Sequence, residues 1–181
     1  MNEQLSAVAE EFGAALRRVQ ALERTLSADQ WTRRPGPGRW SAIECIQHLN
    51  LTAEATLPRV RQGIAEARLR TRPAPARFRR DFTGWLIWNG LRRPGRFKSK
   101  TGMAFVPQAD RPPARILESF ARLQDEHQAC VRECDGLPIE RVRIMSPFKE
   151  GVRYNVYSCL TILAVHQHRH LWQAEQAAAG L

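Results

Sequence analysis

The chain has 181 residues, the size of one ordinary domain, and its 43% hydrophobic and 25% charged residues are normal for a globular protein. A transmembrane helix is excluded, because there is no run of about 18 apolar residues. The N-terminus is polar and lacks the basic and apolar regions of a secretory signal. We therefore expect a cytoplasmic protein with a single domain spanning residues 1–181.

The net charge is +10, and it is unevenly distributed. Thirteen arginines and lysines lie between Arg59 and Lys100, against only Glu66 and Asp81. Such a patch can attract nucleic acid, an acidic partner or an anionic substrate. However, the whole chain contains only three lysines, so the arginines resemble a compositional bias of the source genome. We do not expect nucleic acid to be the main partner.

The first two helices are predicted from apolar spacing and from capping residues. Residues 4–26 repeat apolar side chains every three or four positions, as one face of a helix requires. Prolines and glycines at 35–38 cannot continue that helix. A second helix begins at Ser41, where Glu44 completes a capping-box pattern, and runs to about residue 69 with Pro58 inside it.

The second half of the chain predicts two more long helices. Residues 70–112 are irregular and contain one short aromatic helix, Phe82 to Leu91. A third helix starts near Pro113 and stops before Gly136. After a loop at 137–154, a fourth helix runs from about Asn155 to Ala178.

Four amphipathic helices without a convincing strand pattern predict an all-α four-helix bundle. The long connection between the second and third helices is explained if these two helices run parallel, since the chain must then travel the length of the bundle. Four single cysteines lie on the predicted helices, and we interpret them as small buried apolar residues. They are Cys45, Cys130, Cys134 and Cys159.

Two histidines of the fourth helix are predicted to face the core. At about 100° per residue, His166 and His170 lie within about 60° of the apolar stripe centred on Leu163. His168 lies about 140° away and is expected to face solvent. One buried histidine is usually a hydrogen-bonded core residue, but two stacked imidazoles are harder to satisfy. A shared metal ion would satisfy both, since histidines at i and i+4 can bind one ion.

A third ligand must come from another helix. His48 lies about 10 Å from the start of the second helix, a level that nearly matches His166 and His170 if the two helices are antiparallel. His127 on the third helix would lie about 10 Å further along the bundle, so we favour His48. The position of His48 is imperfect, because it stacks with Cys45 and Thr52 rather than with the apolar stripe.

Other residues near these histidines are ambiguous. Glu44 could orient an imidazole or act as a base, although its role in the capping box is the simpler interpretation. Trp40 and Trp172 are interpreted as packing residues first and pocket walls second. Arg169 could hold an anionic substrate, but a solvated helix face is the simpler reading.

The residues around the histidines resemble a known family. The first signature of the DinB/YfiT-like superfamily resembles residues 39–49 (RWSAIECIQHL), and its second resembles residues 166–173 (HQHRHLWQ). Residues 98–107 and the Ser146-Pro147-Phe148 turn followed by Gly151 also fit the usual layout of the subgroup. The resemblance covers nearly the whole chain, from Trp31 to Gln173.

The resemblance implies an up-down-down-up four-helix bundle with an open metal site formed by His48, His166 and His170. It also implies zinc or nickel as the metal, frequent homodimers, and a small-molecule substrate. Members of the superfamily include S-transferases that use low-molecular-weight thiols and putative metal-dependent hydrolases. Two function classes therefore stay open. One is an enzyme that activates a thiol or water, and the other is a non-catalytic, stress-related metal-binding protein whose basic loop contacts nucleic acid.

Overall fold

The computed structural model describes residues 1–92, 101–108 and 111–180, and this part of the chain is predominantly helical. The helices are Glu3–Thr25 (α1), Ala28–Thr32 (α2), Ala42–Arg68 (α3), Phe82–Leu91 (α4), Pro113–Glu133 (α5) and Val156–Ala178 (α6). Two short strands, Arg143–Met145 (β1) and Arg153–Asn155 (β2), pair antiparallel, and single 3₁₀ turns lie at Met103–Phe105 and Ile139–Arg141. The predicted all-α class is confirmed. No helix in these residues is long and apolar enough to cross a lipid bilayer.

The four long helices begin close to their predicted starts. Ser41 and Glu44 form the reciprocal capping box of α3, with each side chain accepting the other's backbone N–H. Asn155 caps α6 through the Ser158 N–H, and Pro113 is the first residue of α5. These bonds satisfy N–H groups that the first helical turn leaves without partners.

Ion pairs and hydrogen bonds give the relative directions of the long helices. α3 and α5 run parallel, because Arg61 pairs with Glu126 and Arg68 with Glu133 further along both helices. α1 and α6 also run parallel, since Gln4 bonds Tyr157 and Arg18 bonds Glu175. The long connection between α3 and α5 is therefore required, as the sequence predicts.

The contact between α3 and α6 is antiparallel. Near one end, a methyl group on Gly63 would lie only 2.5 Å from the Val156 side chain, so the two helices approach closely there. Towards the other end, His48 lies beside His166. Glycine at position 63 permits this approach, and the approach sets the register of α6 along α3.

Two elements differ from the sequence prediction. The predicted loop at 137–154 contains the β1–β2 hairpin, whose three-residue strands are too short to show a period. The predicted end of the first helix is followed by α2, which has its own capping box between Ser27 and Gln30.

Part of the basic patch predicted between Arg59 and Lys100 lies outside the described residues, namely Arg93, Arg96, Lys98 and Lys100. The start of the 98–107 stretch that resembles the family's layout also lies outside them.

The four cysteines are buried and unpaired, as predicted. Burial raises the pKa of the Cys45, Cys134 and Cys159 thiols to about 12, so these groups stay protonated near neutral pH. They contribute to the core as small apolar side chains.

The short helix α4 packs against the start of α6 through Gly84. A methyl group at this position would overlap the Ser158 side chain, whereas one at Gly90 of the same helix would meet no atom of the described residues within 4 Å. Asp81 caps α4 and also accepts a hydrogen bond from the Ser158 hydroxyl. The absence of a side chain at position 84 therefore allows α4 to dock.

We expect Gly84→Ala to lower the free energy of unfolding by about 1–3 kcal/mol, because it overpacks the α4–α6 contact. The matched variant Gly90→Ala should raise it by up to about 1 kcal/mol, since alanine favours the helix and nothing opposes it. Urea unfolding followed by circular dichroism measures both. Equal effects of the two substitutions would contradict the close contact at Gly84.

Candidate metal centre

The first turns of α3 are buried on every side, and this places His48 inside the protein. Every residue from 41 to 50 is buried, and His48 is only 4% exposed. Helices α2, α5 and α6 and the 3₁₀ turn at Met103–Phe105 all contact α3. The weakly polar face of His48 therefore points inward, although it lies away from the apolar stripe.

The structure brings His48, His166 and His170 together. One ring nitrogen from each histidine lies within 4.8 Å of the other two, an arrangement that could hold a metal ion. The Nε2 atoms of His48 and His166 are 3.3 Å apart. The ring of His170 lies 4.3 Å from that of His48 and 4.5 Å from that of His166, measured between centroids.

A backbone carbonyl fixes the tautomer of His48. Its Nδ1 lies 2.8 Å from the carbonyl oxygen of Phe105, which can only accept, so Nδ1 carries the proton and donates it. Burial lowers the pKa of His48, although the bond to Phe105 opposes this shift, so the ring is neutral near pH 7. A neutral ring protonated at Nδ1 presents a lone pair on Nε2, towards His166.

The two histidines that α6 contributes to the cluster, His166 and His170, are also neutral. Burial, with smaller contributions from the neighbouring His48 and Arg169, lowers the pKa of His166 to about 3. Burial lowers the pKa of His170 well below 6.5, with a smaller effect from His166. Their Nδ1 atoms have no hydrogen-bond partner in the described residues. Protein hydrogen bonds therefore leave the cluster incompletely satisfied, and its neutral nitrogens can donate lone pairs to a cation.

Aromatic rings cover the cluster on two sides. Trp40 packs against His48 and His170, with centroids 5.0 and 6.0 Å apart. Phe148 lies 6.2 Å from His166 and 4.7 Å from the ring of Phe105. Phe148 is 42% exposed and His166 is partly exposed, so the cluster opens to solvent on this side.

The remaining histidines lie outside the cluster. His127 is fully buried and stacks on Phe12, with ring centroids 4.6 Å apart. His168 was predicted to face solvent, and this is wrong. Its side chain is only 26% exposed and contacts α1, where it bonds Glu11 and Arg18.

For Glu44, the capping-box interpretation is confirmed. Both carboxylate oxygens of Glu44 are engaged, by Arg34 and by the Ser41 N–H. Burial alone would raise the pKa of Glu44, but hydrogen bonds from Arg34 and Ser41 hold it below its ordinary value.

The solvated helix face expected for Arg169 is wrong, because this residue is only 9% exposed. Trp172 is 38% exposed, and Trp40 is the tryptophan that borders the cluster.

The sequence did not indicate the Phe105 carbonyl. It is separated from His48 by 57 residues, and a backbone carbonyl carries no residue-type signal. In the sequence, the only indication is that residues 98–107 resemble the family's layout. This resemblance singles out the segment but does not predict its contact with His48.

A predominantly helical fold with three converging, neutral histidines defines a protein with a candidate metal-binding cluster. The family model of the DinB superfamily matches residues 11–174, and the chain therefore belongs to that superfamily. A search among curated proteins and a search among solved structures each found no match.

The charge of Glu44 should stabilise the fold only where the carboxylate is ionised. We expect Glu44→Gln, which keeps a capping-box side chain, to lower the unfolding midpoint at pH 7 because it loses the ion pair with Arg34. The folded pKa is held below 4.5, so the difference from the native chain should shrink as the pH falls from about 5 and should vanish once Glu44 is protonated.

The control is Glu10→Gln, which removes an exposed ion pair with Arg17 and should change the midpoint little at any pH. Thermal unfolding from pH 7 to pH 3 measures both variants. A Glu44→Gln effect that persists unchanged at pH 3 would contradict the assigned role of the ion pair.

Proposed function

We propose that this chain is a metal-dependent enzyme in which His48, His166 and His170 bind one divalent ion, most simply zinc or nickel. The observation that carries the proposal is the convergence of three neutral imidazoles, with the lone pair of His48 directed into the cluster by Phe105. Membership of the DinB superfamily supports it. The helix directions described above also support the up-down-down-up bundle that the family resemblance implies.

The donor set favours a reactive site over a closed structural one. Three neutral nitrogens leave the charge of a divalent ion uncompensated and leave at least one coordination position open. When bound in this way, the ion lowers the pKa of a water or thiol and so supplies a nucleophile near neutral pH. We therefore propose transfer of a low-molecular-weight thiol to an electrophile, or hydrolysis, on a small-molecule substrate.

The protein's own residues prepare the site for this chemistry. The Phe105 carbonyl orients the His48 ring, as an outer-shell partner does for a metal-binding histidine. Trp40 covers His48 and His170 and keeps water from that side. Access is left beside His166 and Phe148, where a substrate could approach. The cluster itself contains no carboxylate, and Glu44 is engaged elsewhere, so Glu44 is a weak candidate for a general base.

We also propose that the chain forms a cytoplasmic homodimer, following the family resemblance. Analytical ultracentrifugation of the purified chain measures its oligomeric state.

Metal content is the direct test of the site. We expect the purified chain to hold about one divalent ion, and His48→Ala, His166→Ala and His170→Ala each to weaken binding by more than the roughly 10- to 100-fold loss typical of an outer-shell change. Elemental analysis and competition with a chromogenic chelator measure this.

The matched control is His168→Ala, since His168 lies on the same helix between two proposed ligands but bonds Glu11 and Arg18 of α1. It should keep the native metal content. If the three cluster variants also keep it, the proposed site is wrong.

Activity separates the two enzyme classes. We expect the metal-loaded chain to accelerate attack of cysteine or glutathione on an activated aryl halide, or hydrolysis of an activated aryl ester, and His166→Ala to abolish the acceleration. Treatment with a chelator should remove the activity, and added zinc or nickel should restore it. A chain that binds metal but accelerates neither reaction would favour the non-catalytic alternative.

A further inference from the structure

A second candidate binding site lies on the opposite face of α6 from the histidine cluster. A cavity of about 530 Å³ lies between the start of α1, residues 77–82, and the start of α6. Its walls include Arg77, Arg79 and Arg80 together with Phe82 and Trp85. Its volume falls within the range of about 300–1,000 Å³ that is usual for small-molecule sites.

The three arginines of the cavity differ in their ionic partners from several other arginines of the chain. Arg17, Arg18, Arg61 and Arg68, among others, form ion pairs with carboxylates. In the described residues, none of the three cavity arginines forms an ion pair with a carboxylate. The adjacent Asp81 is not their counterion, because it caps Gly84, bonds Ser158 and pairs with Arg143.

Arg80 is the clearest of the three. Its guanidinium carbon lies 4.0 Å from the centre of the Trp88 ring, and its Nε donates to the Thr161 hydroxyl. It is partly buried, and this burial lowers its pKa because a charged group loses hydration there. A partly desolvated guanidinium without a carboxylate is a ready site for an external anion.

The segment that carries the arginines is fixed rather than loosely attached. Gln4 bonds both the N–H and the carbonyl of Phe78, and Asn155 donates to the carbonyl of Arg79. The Asp81 N–H donates to Ser158 at the other end of the segment. Such anchoring lowers the entropy lost when a ligand is bound.

The cavity also offers a hydroxyl donor and an apolar surface. Tyr157 is 5% exposed, and its hydroxyl accepts a hydrogen bond from Gln4, which leaves its own proton for another acceptor. Phe82 and Trp85 lie one helical turn apart on α4 with their rings near each other, and they are 78% and 47% exposed. Exposed aromatic rings beside cations suit a ligand that is both anionic and flat.

We propose that this cavity binds a small organic anion, whose carboxylate or phosphate group lies on Arg77, Arg79 and Arg80 and whose flat apolar part packs on Phe82 and Trp85. The site is separate from the histidine cluster. Tyr157 lies nine residues before His166, about 13 Å along α6, and their side chains leave the helix in opposite directions.

Isothermal titration of the full chain with phenyl phosphate, benzoate and inorganic phosphate tests the proposal, with benzamide as the uncharged match for benzoate. We expect phenyl phosphate or benzoate to bind, the preferred one identifying the head group, and inorganic phosphate and benzamide to bind at least about tenfold more weakly. Arg77→Gln, Arg79→Gln and Trp85→Ala, all at exposed positions, should each weaken binding by about fivefold or more.

Arg24→Gln is the charge-matched control, since Arg24 is exposed in the last turn of α1, about 30 Å along that helix from Gln4 in the cavity wall. Its affinity should stay within about twofold of the native chain, because exposed charges at a distance are screened. His166→Ala should also keep the affinity, and a loss there would mean that the anion binds at the histidine cluster instead. Equal binding of benzamide, unchanged binding in all three cavity variants, absence of binding by every probe, or tighter binding of a single-stranded oligonucleotide that displaces phenyl phosphate would each overturn the proposal.

Discussion

The antiparallel register between α3 and α6 is the constraint on which the histidine cluster depends. Gly63 allows α3 to approach Val156 at the start of α6, and the two helices are held there by direct contact. Fifteen residues separate His48 from Gly63, and fourteen separate Val156 from His170. Because both helices rise about 1.5 Å per residue, this register brings His48 level with His170. A shift of one turn would move His48 by about 5 Å and separate the rings.

Burial gives the cluster its chemical character. The same packing that covers the start of α3 removes water from the imidazoles and lowers their pKa values. The Nδ1 atoms of His166 and His170 have no hydrogen-bond partner in the described residues, so hydrogen bonds leave the cluster incompletely satisfied. The Phe105 carbonyl resolves this for the Nδ1 of His48 and leaves its Nε2 directed inward. The buried start of α3 therefore determines the packing around the cluster, the tautomer of His48 and the ability of the imidazoles to bind a cation.

Parts of this arrangement could be predicted from the sequence because they depend on local chemistry. The apolar period, the capping box at Ser41 and the proline at the start of α5 define the long helices, and the same period places His166 and His170 on the core face. The prediction of His48 depended on its estimated position along the length of the bundle and on the family resemblance. A helix that is buried on all sides has no single apolar stripe that would identify an inward-facing residue. The Phe105 bond and the position of Arg169 could not be predicted. They arise from contacts between segments far apart in the chain, and the β1–β2 hairpin is too short to leave a periodic signal.

Helix α6 lies between the two proposed sites. His166 and His170 occupy one face. The other carries Tyr157, which lines the arginine-lined cavity, and Thr161, which accepts a hydrogen bond from Arg80. A single helix can serve both because side chains five or nine residues apart leave it in nearly opposite directions. The neutral histidine cluster suits a cation, whereas the unpaired arginines suit an anion, so the two sites require different ligands. On this proposal, Arg77, Arg79 and Arg80 account for part of the positive charge between Arg59 and Lys100 as a binding site for a small anion.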